Sequence, residues 1–342
     1  MKDFLLTAFF GLLSLLVFNQ SIPDALFNTT RPLDISFSIS IKAVKNSKVD
    51  SVYFKEKMYF RNAAGTMDSI KIGLKKRGNY RLEQCYFPPL WMKIDKKNIK
   101  NTLFEGNRKL KVVMPCEDRA ESDQLIYREY LCYKLYEAIT PYSFKTRLIN
   151  IDFTAEGRKK NQDYQLKGIM VEDVNKTAKR CGGQVVGDAR VNARSLNDTC
   201  ALRFDFFQLL ISNTDWSKAS QHNSKLIAHN AQYIPLPYDF DMSGVVDAPY
   251  SVVSKVGNDQ LPIESVRERY YRGYCASIET TQFVRQEFLS KEKALLEVPD
   301  QLKDALPAKE IKSIKTYLQE FFDILKNDKL FSEQILSRCR PK

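Results

Sequence analysis

The residues of this chain best suited to chemistry fall in three clusters: Ser212-Asn213-Thr214-Asp215-Trp216, His222-Asn223-Ser224-Lys225 and Pro237-Tyr238-Asp239-Phe240-Asp241. Carboxylates and amides stand there at the ends of apolar runs, where a side chain is held firmly and still reaches solvent. Asp and Asn supply hard oxygen atoms, and Mg2+ takes a few of these together with substrate phosphates rather than a closed protein cage. The clusters therefore point to metal-assisted phosphate chemistry.

In kinases one Asp orients the attacking hydroxyl, an Asn and a later Asp bind the metals, and a Lys–Glu pair in the sheet lobe holds the phosphates. Here Asp215 takes the place of the base, Asn223 that of one metal ligand, and Asp239 or Asp241 that of the other. On the nucleotide side, Arg77 and Asn79 belong to an Arg-Gly-Asn segment at a strand end, Lys93 and Lys111 lie within strands, and Glu129 is on the first long helix. The interval from Asp215 to Asn223 exceeds the kinase spacing, so a small loop must bulge out. Blander roles compete: Asp215 as a helix cap or Asx-turn, His222 as a structural hydrogen-bonder, Glu129 as a solvated or salt-bridged side chain. Asp239-Phe240-Asp241-Met242-Ser243-Gly244 also fits a haloacid-dehalogenase-like nucleophile motif, but little βαβ alternation follows it.

The elements that must position these residues are legible as periodicities. Ile35, Phe37, Ile39 and Ile41 alternate with polar residues, predicting a strand over Asp34–Val44, and further strands are predicted at Ser51–Phe60, Ser69–Lys75, Leu90–Ile94 and Lys109–Met114. A helix is predicted from Ser122 to about Ile139, closed by Pro141, then strands through 147–153 and 168–171. Ala201–Ile211 reads as a buried helix, 224–228 and 233–236 as short strands, and the tail from Ile263 as helical. The expected fold class is α+β and bilobal: an antiparallel β-rich N-lobe (26–172) with one long helix, and a mainly helical C-lobe (173–342), with ligand bound in the cleft between them.

The order of Arg77-Gly78-Asn79, Tyr86-Phe87-Pro88-Pro89, Gly168-Ile169-Met170-Val171-Glu172-Asp173, Asn213-Thr214-Asp215, His222-Asn223 and Tyr238-Asp239-Phe240-Asp241 resembles the spore-coat CotH family of atypical protein kinases, in particular a secreted bacterial branch of it. The resemblance covers roughly Asp68 to Val246. It implies a kinase-like fold, Mg2+ and ATP as cofactor and co-substrate, and a role for Glu172 as the acidic residue before the interlobe connection. The family's nucleotide lysine falls near Pro88-Pro89, leaving Lys93 or Lys111 as stand-ins. The implied activity is phosphoryl transfer to a protein or other hydroxyl acceptor. The alternative is a non-catalytic secreted surface or coat-associated binding protein on the same scaffold.

Phe4–Phe18 is apolar and too short for a span of about 20 residues, predicting an export signal or N-terminal anchor over 1–25 and no other membrane span. The seven cysteines lack zinc-ligand spacing, and Cys181 with Cys200 is a local candidate for a disulfide, with buried or free thiols as the competing reading. A net charge of +12 is spread without a concentrated patch, which argues against nucleic acid and leaves a nucleotide and a protein or surface-polymer acceptor as partners.

Overall fold

The computed structural model describes residues 24–47, 52–62, 64–78, 80–256 and 259–342, so the expected export signal and Asn79 lie outside the described residues. Seven strands come first: β1 (Leu33–Ile39), β2 (Phe54–Arg61), β3 (Met67–Lys76), β4 (Leu90–Ile94), β5 (Lys109–Val113), β6 (Thr146–Ala155) and β7 (Gln162–Val171). They close on themselves in the order β1-β2-β3-β4-β5-β7-β6, because β1 pairs antiparallel with β2 and parallel with β6, Leu33 opposite Ile149 through Ile39 opposite Ala155. The bilobal kinase-like fold expected above is therefore incorrect; the chain builds a closed seven-stranded barrel with helices against its wall. Alternation shows which strands have a buried face but not that β1 returns to pair with β6 more than a hundred residues later, as the register from Leu33–Ile149 onward requires. Closure leaves the barrel without an unpaired edge.

Ile35, Phe37, Met58, Phe60, Ile72, Leu74, Met92, Leu110, Ile151 and Phe153 fill the barrel interior. The predicted strand over Asp34–Val44 ends early, because Ser40 caps a short helix α1 (Ile41–Lys45), its side chain accepting from Ala43 N at 3.3 Å. Helix α2 (Tyr80–Gln84) bridges β3 and β4, and α3 (Ala120–Ile139) bridges β5 and β6. Helix α3 is buried along much of its length in a second core, shared with α4 (Val174–Arg180), α5 (Asp198–Leu210), α6 (Ile278–Ser290), α7 (Glu292–Glu297) and α8 (Ala308–Lys326). Phe206, Phe288, Phe321 and Phe331 form its aromatic centre. The tail is helical from Ile278 rather than Ile263, since Ser277 supplies the N-cap. A hairpin of β9 (Ser224–His229) and β10 (Gln232–Pro237), edged by β8 (Gln184–Val185), completes the site side.

Cys181 and Cys200 are free thiols, the second of the two readings offered for them, and not a disulfide: Cys181 closes α4 and points to Pro141 O, while Cys200 lies in the first turn of α5 beside Arg203. The disulfides join Cys85 to Cys116 and Cys275 to Cys339. No helix among the described residues is long and apolar enough to cross a membrane.

Candidate functional site

Helix α5 delivers the first cluster. Its residues are buried from Ala201 to Leu210 apart from Arg203, and at Ser212 the chain turns with φ +49°, the hydroxyl donating to Val266 O at 2.9 Å. Asn213 then makes the Asx-turn, its Oδ1 accepting from Asp215 N at 2.9 Å. The Asp215 carboxylate is thus left to take His222 Nε2 at 2.9 Å and Asn223 Nδ2 at 2.8 Å. The expected loop-out is residues 217–222, closed by Ser217 N donating to His222 O at 2.9 Å, so the long interval does not separate the two side chains.

The hairpin delivers the rest. Ser224 lies opposite Pro237, which sets Asn223 beside Tyr238, whose N–H donates to Asn223 O at 3.1 Å. Asp239 and Asp241 follow directly. Asn223 and Asp239 both have left-handed backbones, φ +46° and +64°, a conformation that costs a non-glycine residue of order 1 kcal/mol and gathers at functional sites. Asp239 is held there by Tyr133, whose hydroxyl accepts its N–H at 3.1 Å.

The barrel wall forms the facing side of a cleft of about 660 Å3 that Arg77, Arg81, Lys111, Asp215, Asn223, Asp239 and Asp241 all line. Arg77 leaves the end of β3 and lies 3.8 Å from Asp239 Oδ2. Arg81, on α2, is buried and donates to Met114 O, and the Cys85–Cys116 disulfide ties the end of that helix to the chain beyond β5. The Lys111 ammonium sits 3.3 Å from the Tyr238 ring centroid and 5.6 Å from that of Trp91.

Two nucleotide-side candidates fall elsewhere. Lys93 shares the outward face of the wall with Trp91, but two residues further along β4, about 7 Å away, it is exposed over Tyr53 at 5.4 Å and lines a different surface hollow. Glu172 is buried beneath α4, bound by Arg180 at 2.8 Å, Thr177 Oγ1 at 3.0 Å and Lys145 N at 3.1 Å, so it anchors α4 to the barrel instead of facing the cleft. Glu129 does not pair with a strand lysine. It lies buried on α3 behind the cleft, where the charges acting on it are those of Asp241, Asp239, Arg81 and Arg77.

These charges set one another. Burial, then repulsion by Asp241 and Asp239, pushes the Glu129 carboxyl up to about 8, and burial with the Asp239 charge raises Asp241 to about 6. Burial would raise Asp239 too, but Arg77, Lys111, Arg81 and His222 outweigh it and hold that carboxyl below its usual range. Lys111 is driven well below the usual lysine value by burial and by Arg77. The hydrogen bond to Asp215 raises His222.

Among the described residues no group of three or more His, Cys, Asp or Glu side chains is gathered closely enough to hold a metal alone. A cation sharing its ligands with phosphate oxygens would meet Asp239 and Asp241, which both line the cleft, and the buried Glu129 Oε1 has no hydrogen-bond partner. Arg81, His222 and Tyr250, the last bonded to Asp241, were not singled out as site residues from the sequence. The available signal for Arg81 was its position four residues beyond Arg77, and for His222 its adjacency to Asn223. Comparison with protein-family models and with curated proteins finds no match to this chain.

Proposed function

We propose that the cleft binds a nucleoside triphosphate with Mg2+ and transfers its terminal phosphoryl group to a hydroxyl acceptor. The observation that carries this reading is the convergence of Arg77, Lys111, Asp215, Asn223, Asp239 and Asp241, drawn from four separate parts of the chain, on one cleft. The order of motifs resembling CotH kinases supports the same chemistry, on a barrel rather than a kinase-like scaffold. Asp239 and Asp241 would hold the metal with Asn223, and the metal when bound would offset phosphate charge. Arg77 reaches the same space and meets phosphate oxygens with its guanidinium. Asp215, oriented by His222 and Asn223, accepts the proton of the acceptor hydroxyl. The acceptor oxygen bonds to the terminal phosphorus as the bridging P–O bond breaks, and its electron pair leaves with the nucleoside diphosphate.

The two disulfides support action in an oxidising compartment, in keeping with the apolar N-terminal run of the sequence. A non-catalytic binding protein is the second reading, favoured by the Lys111 ammonium lying against Tyr238 and by the Arg77–Asp239 pair that partly neutralises the cleft. Incubation with terminally labelled ATP and a mixed hydroxyl acceptor separates the two. Transfer by wild type and not by Asp215→Ala supports catalysis; nucleotide binding without transfer supports the second reading; absence of both overturns the proposal.

A further inference from the structure

Asp215 and His222 face two spaces. Besides the cleft, they line an adjoining cavity of about 710 Å3 whose charge is of the opposite sign to that of the Asp239–Asp241 side. Arg190, Lys255, Arg272 and Arg340 line it, and Asp215 is the one carboxylate among its described lining residues. Lys218 also reaches it but is committed to Asp205 in a fully buried pair at 2.5 Å.

The floor is a built site. Arg272 is 8% exposed, stands 5.2 Å from the Trp216 ring centroid, donates to Thr214 O, and keeps a buried Nε with no partner. Arg340 is held beside it, its Nε donating to Arg272 O at 2.9 Å. The Arg340 backbone is fixed between Gly273 and Cys275 by bonds of 2.9 and 2.8 Å, and the Cys275–Cys339 disulfide locks that pairing. Two neighbouring guanidinium groups, that of Arg272 buried and that of Arg340 half-buried, repel each other, and burial together with Arg340 lowers Arg272 to about 10 although the Asp215 and Asp205 charges act the other way. An anion entering the cavity beside them removes that repulsion. At the rim Val252, 58% exposed, and Val253 stand beside Lys255, a mixture of apolar and basic groups that a polypeptide matches better than a polyanion without apolar groups.

We propose that this second cavity receives the acceptor and that the acceptor is an acidic peptide segment, its Ser or Thr hydroxyl at Asp215 and a neighbouring carboxylate beside Arg272 and Arg340. The transfer step is the one given above, the hydroxyl proton passing to Asp215. The identity of the bound segment as an acceptor rests on the phosphotransferase reading; the anion site does not.

Fluorescence anisotropy tests it without nucleotide, using a labelled peptide of one serine flanked by glutamates and its lysine-flanked counterpart. The acidic peptide is expected to bind at least about tenfold more tightly, and the exposed double variant Arg190→Glu/Lys255→Glu to lose about tenfold while keeping any thermal shift produced by Mg-ATP. Arg340→Gln, with folding checked by circular dichroism, is expected to lose a similar factor. Equal affinity for the two peptides, or a double variant that binds as wild type does, overturns the proposal. A polyphosphate that competes as well as unlabelled acidic peptide refutes the peptide assignment. Acidic-peptide binding that depends on these residues in a protein with no Mg-ATP shift supports the anion site and refutes the phosphotransferase reading instead.

Discussion

Replacing Glu129 by glutamine removes one ionisable carboxyl from behind the cleft while keeping its size. Glu129 is 2% exposed, and the groups acting on it are Asp241 and Asp239, which raise its carboxyl, and Arg81 and Arg77, which lower it. Its carboxyl titrates near 8 when folded, against 4.5 for an ordinary glutamate. Between those values the folded state holds a proton that the unfolded chain has released. Stability from this group is therefore complete below about pH 4.5 and is lost as pH rises through 8. At about 1.4 kcal/mol per pH unit, the loss across the window is on the order of 4 kcal/mol. Asp241, raised to about 6, acts in the same direction, whereas Asp239, lowered, contributes stability that is lost as pH falls. The assay is urea denaturation in EDTA at half-unit steps from pH 5 to 8. Wild type is expected to lose ground against Glu129→Gln steadily across that range, and 10 mM Mg2+ is expected to recover part of the loss at the alkaline end, as a cation site beside Asp241 would. A difference between the two proteins that stays constant from pH 5 to 8 would refute the reasoning, because ionisation of Glu129 would then cost nothing in the folded state.

Asp239→Ala and Asp241→Ala should each abolish the rise in melting temperature produced by Mg-ATP, read by differential scanning fluorimetry, whereas Asp215→Ala should keep it and lose about a hundredfold or more in labelled-phosphate transfer. Lys111→Ala should weaken nucleotide binding by about tenfold in calorimetry and Lys93→Ala should leave it unchanged, because Lys111 lines the cleft and Lys93 does not. Replacing Cys85 and Cys116 together by serine should cost about 3 kcal/mol in denaturant titration and weaken the nucleotide response as well, since that disulfide holds the segment carrying Arg81.

Much of the local structure was readable. The strands at Leu90–Ile94 and the start at Lys109, the long helix ending at Ile139 and the buried helix before Ser212 all stand close to where their periodicities put them. Where local reading failed, a competing local preference had won: Ser40 turned an alternating run into a helix start, and Ser277 delayed the tail helix. Among site residues, Asp215, Asn223, Asp239 and Asp241 could be found because acidic and amide residues at the ends of apolar elements are conspicuous, and because the hairpin between Asn223 and Asp239 has a register that short sequence separation enforces.

Residue types and local period thus determined the elements, and the intervals along the chain determined that Asp215, Asn223 and the Asp239/Asp241 pair could meet. Tertiary structure decided the rest. Barrel closure depends on β1 choosing β6, and the choice between Lys93 on β4 and Lys111 on β5 depends on which part of the outward wall lies against Tyr238 at the end of the hairpin. Cys85 and Cys275 went to Cys116 and Cys339 for the same reason. Such pairings are settled by free energies of contact between segments far apart in the chain, and a single sequence carries no local signal of which distant neighbour a side chain will have.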